Sequence, residues 1–202
     1  MKTIGALLFP DFELLDLFGP LEMFGLLPDH FDLTLIAETT GPVPSNQKVA
    51  AHAEVTLADA PSFDILLIPG GSGTRAEKDN PPLLDWLRGA SERADLTLSV
   101  CTGSILLALA GLLDGRRATT NKLAFARLTP AYPKVHWQAQ ARWVEDGPIW
   151  TSSGVSAGMD MSLAVIAHLH GAQTAERVAS WAEYTWHRDA AHDPFAATHG
   201  LD

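Results

Sequence analysis

Cysteine, positive charge and long apolar runs are all scarce in this sequence. The single cysteine, Cys101, excludes an intrachain disulfide and favours a protein that works in a reducing cytoplasm. The 14 lysines and arginines are outnumbered by 24 aspartates and glutamates, which gives a formal net charge of -10. Because binding to phosphates needs clustered basic side chains, we expect no nucleic-acid partner.

The apolar runs are too short for a membrane span. The N-terminal run ends at Phe9 and is followed directly by Pro10, Asp11 and Glu13, which is typical of a first strand and not of a secretory signal. The longest uncharged apolar stretch covers residues 105–113, well short of the ~20 residues that cross a bilayer. We therefore expect a cytoplasmic protein with no membrane partner.

Short apolar runs alternate with longer segments of helical spacing. With 202 residues and no linker or repeat, the chain is expected to form one domain over residues 1–202. Such alternation favours an α/β fold, a mostly parallel central sheet with helices on both faces. The first helix is expected to be interrupted near Gly19-Pro20. The pattern predicts strands at residues 3–9, 31–37, 63–68 and 96–100, a hairpin within 140–152, and helices at 13–27, 81–93, 103–113, 156–170 and 173–184.

Cys101 lies on the predicted turn between a buried strand and a buried helix. Ligands of parallel sheets bind beyond the carboxyl ends of the strands, and a helix N-terminus favours an anion. We therefore predict a lowered thiol pKa and a reactive thiolate on a tight turn of the nucleophile-elbow kind, with Thr102 and Gly103 leaving room for a ligand. A buried structural thiol is the alternative.

The glycine-rich segment 69–73, PGGSG, follows another predicted strand. Consecutive glycines let backbone amides approach a ligand, so Gly70, Gly71 and Gly103 are candidate substrate- or oxyanion-binding residues, together with the amide of Thr102. A nucleotide-phosphate loop is disfavoured, because the segment lacks the Walker lysine and the GxGxxG spacing. A glycine-rich turn without a ligand is the alternative.

Asp16 lies between leucines on the apolar face of the first predicted helix. An aspartate is seldom buried without a partner. Beside a thiolate it would share one proton with the sulfur and could act as a general acid and base. A surface aspartate or a local cap is the alternative.

The histidines predict neither a Cys-His pair nor a metal site. Thr102 follows the cysteine, so no imidazole is adjacent to the thiol. His168 and His170 are expected to cap the end of their helix. His187 and His192 lie in the C-terminal tail without the tight clustering of zinc ligands, so the tail is expected to be mobile or to form an interface.

Four segments together resemble the DJ-1/PfpI (ThiJ) superfamily over nearly the whole chain: FPDFELLDLFGPLEMF, DILLIPGGSGTR, SVCTGSILLALAGLLDGRRATT and SSGVSAGMDMSLAVIAHLHG. The resemblance implies a flavodoxin-like three-layer α/β sandwich, commonly a homodimer, whose elbow cysteine is the reactive centre. Exposed aromatic residues near Trp181, Tyr184 and Trp186 are compatible with such a dimer. Thr102 departs from the Cys-His pair of the proteolytic members, which puts peptidase activity in doubt.

Asp16 and the Cys-Thr-Gly elbow are most similar to the isonitrile hydratase branch of that superfamily. This implies a cofactor-independent hydratase or lyase for a small molecule, with Cys101 as nucleophile, Asp16 as acid and base, and Thr102 placing the water. The pair Asn121-Lys122 stands where His-Trp is usual in that branch. Three alternatives stay open: glyoxalase-type activity on α-oxoaldehydes, a redox sensor, and a ligand-binding domain like those of AraC-type regulators. Because the sequence ends at Asp202, we expect no DNA-binding helix-turn-helix segment after this domain.

Overall fold

The computed structural model describes residues 1–201. Eleven strands are present in that range, and seven of them form the central sheet. The strands, in chain order, are β1 Lys2–Leu7, β2 Phe31–Ala37, β3 Gly41–Pro44, β4 Ala50–Ala53, β5 Val55–Thr56, β6 Ile65–Ile68, β7 Leu96–Val100, β8 Arg117–Ala118, β9 His136–Trp137, β10 Trp143–Asp146 and β11 Ile149–Ser152.

Seven α-helices and two short 3-10 helices complete the described part of the chain. The α-helices are α1 Leu14–Gly25, α2 Thr74–Glu77, α3 Pro81–Arg93, α4 Gly103–Leu109, α5 Lys122–Leu128, α6 Ala157–His170 and α7 Ala172–Trp181. The 3-10 helices are Thr129–Ala131 and Ala197–His199. Within residues 1–201, no helix has both the length and the apolar character that crossing a membrane requires.

The central sheet has the strand order β10-β11-β7-β6-β1-β2-β5. All neighbouring strands in it are parallel except β10 and β11, which form the predicted hairpin. Every residue of β6, β7 and β11 is buried, as expected for strands that are covered on both faces. The helices contact one another in two groups, α6 with α1 and α7, and α4 with α2 and α3. This is the predicted flavodoxin-like α/β sandwich.

Among the predicted elements, the first helix differs most clearly from its prediction. The structure also contains strands and helices that were not predicted: β3, β4, β5, β8, β9, α2 and α5. Helix α1 is continuous through Pro20, so the expected interruption is wrong. Pro20 removes one backbone hydrogen bond, but tertiary packing compensates, because Gly19 and Pro20 lie directly against α6 at Met159 and Gly158. The helix after Cys101 also ends earlier than predicted, at Leu109.

Candidate active site

Cys101 lies on a strained turn between β7 and α4. Its backbone φ of +57° is in the left-handed region, which costs a non-glycine residue about 1–2 kcal/mol. Four hydrogen bonds hold this conformation. The Cys101 N–H donates to the carbonyls of Ser152 and Ser153 (3.2 and 3.0 Å), and its carbonyl accepts from the hydroxyls of Ser104 and Thr120 (3.0 Å each). The elbow is therefore fixed before any ligand binds.

Gly103 allows α4 to begin directly against the end of β6. A Cβ atom at this position would lie 2.8 Å from the carbonyl oxygen of Pro69 and still closer to that of Ile68. Any side chain would push the helix away and displace the elbow. The structure thus gives Gly103 a packing role at the elbow, and the ligand-binding role expected from the sequence stays a prediction.

Asp16 is completely buried on α1, close to the elbow. Its Oδ2 accepts a hydrogen bond from the Gly70 N–H at 2.9 Å. A Cβ on Gly70 would lie 2.9 Å from this oxygen and 2.5 Å from the Thr102 nitrogen, so the glycine lets both residues approach. The other oxygen, Oδ1, is buried and has no well-formed hydrogen bond within residues 1–201. Oδ1 is therefore the atom on which Asp16 can carry a proton.

Asp16 and Cys101 influence each other's ionisation. Burial, with a smaller contribution from the Glu13 charge, raises the pKa of Asp16 to about 7, while hydrogen bonds from Gly70 and Cys101 oppose this. Burial and the Asp16 charge also raise the pKa of the Cys101 thiol well above its usual range. The expected lowering of the thiol pKa is therefore wrong, because burial outweighs the helix N-terminus. Near neutral pH the thiol therefore keeps its proton, whereas Asp16 is partly ionised and can accept one.

Three groups favour the thiolate against this trend: the backbone amides of Thr102 and Val155 and the side chain of Asn121. By contrast, the backbone amides of Gly70 and Gly71 already donate hydrogen bonds within the protein. The Gly70 N–H donates to Asp16, and the Gly71 N–H donates to Thr102 Oγ1 at 3.1 Å. The sequence-based assignment of these two glycines as oxyanion donors is therefore corrected in favour of the donors that face the sulfur.

Asn121 and Val155 are site residues whose roles were not predicted from the sequence. Asn121 Oδ1 accepts from the Ala124 N–H at 3.0 Å and caps α5, which leaves the amide NH₂ group as the end that can donate to the sulfur. An asparagine just before a helical pattern is a recognisable cap signal. Val155 has φ +46°, a rare conformation for a β-branched residue, and no signal in the sequence predicts it.

The sulfur opens into a cavity of about 360 Å³, although Cys101 is only 7% exposed. Such a volume suits a small ligand. The wall combines the elbow residues Cys101 and Thr102 and the cap Asn121 with apolar and charged side chains. The apolar ones include Ile105, Leu123, Leu128, Tyr132 and Val155, and the charged ones are Glu13, Arg75, Lys78 and Arg127. Cys101 is therefore accessible to a small molecule.

The histidines and the tail have structural contacts. His168 packs edge-on against Trp150, and His170 packs against His30 and Phe31. In the tail, His187 Nε2 lies 2.8 Å from the carbonyl of His192. The part of the chain that the structure describes contains no group of three or more metal-ligating side chains placed to hold an ion.

A buried ion cluster, formed by Arg142, Asp160 and Asp193, fastens the tail to the body. Arg142 binds Asp160 at 2.8 Å and lies 3.6 Å from Asp193. The Tyr184 hydroxyl donates to the Asp160 carboxylate at 3.0 Å, and the Trp186 indole N–H donates to the Asp160 backbone carbonyl at 3.2 Å. Two of the three aromatic residues that were expected at a dimer contact are therefore bound within their own chain, whereas Trp181 is exposed.

The chain matches the DJ-1/PfpI family model over residues 2–168. It is 36% identical over 181 residues to an isonitrile hydratase of Pseudomonas putida, covering 90% of this chain and 78% of that protein. It is 34% identical over 153 residues to the HTH-type transcriptional regulator CdhR of Pseudomonas aeruginosa, covering 74% of this chain but 45% of the regulator.

A solved structure of a THiJ/PfpI family protein from Pseudomonas syringae superimposes with a TM-score of 0.85 at 29% identity, over 99% of this chain and 84% of that one. The structural match covers the sheet, the helices and the elbow that the sequence predicted. Together with the family match over most of the length, it establishes the classification. The chain belongs to the DJ-1/PfpI family.

Proposed function

We propose that this protein is a cysteine-dependent hydratase that converts an isonitrile into an N-substituted formamide. The observation that carries the proposal is the fully buried Asp16, with a pKa raised to about 7, next to the only thiol of the chain. A carboxyl group that titrates near neutral pH is suited to accept and return a proton. The similarity to an isonitrile hydratase supports the same chemistry.

In the first step Asp16 removes the Cys101 proton while the sulfur attacks the terminal carbon of R–N≡C. The new S–C bond forms as Asp16 returns that proton to the same carbon, which gives a covalent thioimidate, R–N=CH–S–Cys101. The amides of Thr102 and Val155 and the side chain of Asn121 stabilise negative charge on the sulfur during the attack.

In the second step water adds to the thioimidate carbon and the nitrogen gains a proton. The resulting tetrahedral species collapses, the C–S bond breaks, and the hydroxyl proton passes through Asp16 to the sulfur. The products are R–NH–CHO and the free thiol, so the sum is one isonitrile and one water. We assign the orientation of this water to Thr102, which lines the cavity and whose Oγ1 hydrogen-bonds to the Gly71 backbone.

Isonitrile turnover by purified variants tests this proposal. We expect no formamide from Cys101→Ala, and a decrease of about 10²–10⁴ in kcat from Asp16→Asn because the acid–base group is lost. Glu22→Gln, an exposed carboxylate on the same helix, is the matched control and should retain activity. Formamide production by Cys101→Ala would contradict the proposal.

The similarity to CdhR favours a second candidate, a ligand-binding domain without turnover. The two candidates differ in chemistry at the sulfur. A hydratase consumes isonitrile and passes through a covalent adduct on Cys101 that mass spectrometry can detect. A binding domain would show a ligand-induced rise in Tm without product, for isonitriles and for α-oxoaldehydes alike.

We also propose that the protein forms a homodimer through an exposed apolar patch near the site. Leu15 and Phe18 on α1 and Val49 are 39%, 40% and 55% exposed, and they line one apolar hollow with Val155. Val155 also faces the sulfur, so a partner there would cover the site. Light scattering should give a dimer mass that Phe18→Glu reduces to a monomer; an unchanged mass would place the contact elsewhere.

A further inference from the structure

The cavity above Cys101 concentrates positive charge in an acidic protein. Three of the chain's 14 basic side chains line it, and we call them the basic rim: Arg75 and Lys78 at α2, and Arg127 on α5. All three are exposed. Glu13 is the acidic side chain that lines the cavity, and its oxygens are hydrogen-bonded to the amides of Asn46 and Gln47. The net charge of the cavity mouth is therefore opposite to that of the whole chain.

Two members of the rim have no partner in the described part of the chain. Nine of the 14 basic side chains form ion pairs there, so pairing is the rule in this molecule. Within residues 1–201, neither Arg75 nor Arg127 has an ion pair or a side-chain hydrogen bond. A guanidinium group presents a planar fork of donors that matches a carboxylate. The guanidinium groups of Arg75 and Arg127 can therefore bind an anion without breaking an existing ion pair.

The apolar residues of the cavity wall indicate what else a ligand with an anionic group would contain. Ile105, Leu123, Leu128 and Val155 supply apolar surface to the cavity that Cys101 and the basic rim also line. We infer that the site selects a small electrophile with an apolar body, a reactive carbon at Cys101 and a carboxylate at the rim. The role given to Cys101 rests on the proposed function; the charge preference depends only on the cavity.

Alkylation of Cys101 tests the rim without requiring turnover. Iodoacetate and iodoacetamide react by the same displacement: the S–C bond forms, the C–I bond breaks, iodide leaves, and the thiol proton is lost to base. The two probes differ in charge and hardly in size. We therefore compare the ratio of their rate constants, iodoacetate over iodoacetamide, in which the intrinsic reactivity of the thiol cancels.

The double variant Arg75→Ala/Arg127→Ala should lower this ratio about tenfold at low salt, since each exposed charge pair contributes modestly. The iodoacetamide rate itself should change less than about twofold, because neither arginine touches another side chain through a polar contact. The control is Arg93→Ala/Arg177→Ala, which changes the net charge equally with two exposed arginines outside the cavity. High salt should reduce the ratio of the native protein towards that of the rim variant.

An unchanged ratio in the rim variant, or an equal decrease in the control, would overturn the inference. Turnover then separates it from the proposed function. With isocyanoacetate and its methyl ester as substrates, the native protein should have the higher kcat/KM for the acid, and the rim variant should lose that preference. If neither is hydrated while the alkylation ratio behaves as expected, the hydratase proposal fails and the anion-selective cavity stands.

Discussion

Two buried ionisable clusters lie in this molecule, and they are built in opposite ways. In the buried ion cluster, the Asp160 carboxylate receives bonds from Arg142, from the Tyr184 hydroxyl and from the His187 N–H. At the elbow, Asp16 receives one backbone hydrogen bond from Gly70, and within residues 1–201 no cation pairs with it. Both carboxyl groups are equally inaccessible to water.

The difference shows which cluster is structural and which is chemically active. A buried charge is tolerated when an opposite charge and several donors compensate for lost hydration. Asp160 has that compensation. Asp16 does not, and its pKa rises to about 7 instead. Two equally buried carboxyl groups thus have different roles. Asp160 fastens the tail through its ion pair, and Asp16 carries a proton that it can transfer.

The largest expected effect comes from breaking the buried ion cluster. Asp160→Asn leaves the Arg142 guanidinium buried beside a neutral group, with Asp193 3.6 Å away as its remaining counter-charge. We expect the free energy of unfolding at pH 7 to decrease by about 3–5 kcal/mol, measured by urea denaturation. Glu176→Gln is the control, because it breaks only the exposed pair with Arg188, and it should cost less than about 1 kcal/mol. If both substitutions lower the free energy of unfolding equally, the buried ion cluster contributes no more than an exposed pair.

At the elbow the equivalent substitution, Asp16→Asn, should increase the free energy of unfolding. The Asp16 pKa is raised from its ordinary 3.8 to about 7, so the folded state binds this proton more tightly than the unfolded state. The stability it contributes is complete below pH 3.8 and is lost as the pH rises through 7, a difference of roughly 4 kcal/mol. The asparagine of Asp16→Asn does not ionise, so this variant does not lose stability in this way. Above pH 7 its free energy of unfolding should exceed that of the native protein by up to roughly 4 kcal/mol.

Urea denaturation between pH 4.5 and 8 measures this difference directly. The gap between the native protein and Asp16→Asn should widen up to about pH 7 and then level off. Glu22→Gln, an exposed carboxylate on the same helix, should follow the native curve. Parallel curves for the native protein and Asp16→Asn would mean that Asp16 is charged and compensated in the fold, as Asp160 is.

The elements and the elbow could be predicted because their signals are local. The structure confirms the predicted bounds of β2, β7 and α3, each an apolar pattern delimited by turn or cap residues. Cys101 stood out as the only thiol, at a strand–helix junction, and Asp16 as an acid on an apolar helix face. The turn after β1, the glycine-rich segment 69–73 and the elbow meet at the strand ends. The Glu13 N–H donates to the Gly70 carbonyl, and the Gly71 N–H donates to Thr102 Oγ1.

The electrostatics of the site could not be predicted, because they depend on contacts between distant segments. The helix N-terminus suggested a lowered thiol pKa, but the depth of burial and the neighbouring Asp16 reverse the direction. Glycine spacing suggested free amides at Gly70 and Gly71, but Asp16 and Thr102 already accept from them.

Asn121 offers the smallest and most specific test of the elbow. Asp and Ser are both good caps, so Asn121→Asp and Asn121→Ser should retain α5 while removing the NH₂ donor that faces the sulfur. The aspartate also adds a negative charge near the thiolate. We expect iodoacetamide to alkylate Cys101 about tenfold more slowly at pH 7.5 in Asn121→Asp, with a pH profile displaced upward by about one unit. Asn121→Ser should lie between this variant and the native protein. If both variants are alkylated at the rate of the native protein, Asn121 is only a helix cap. The amides of Thr102 and Val155 are then the donors that stabilise the thiolate against the effect of burial.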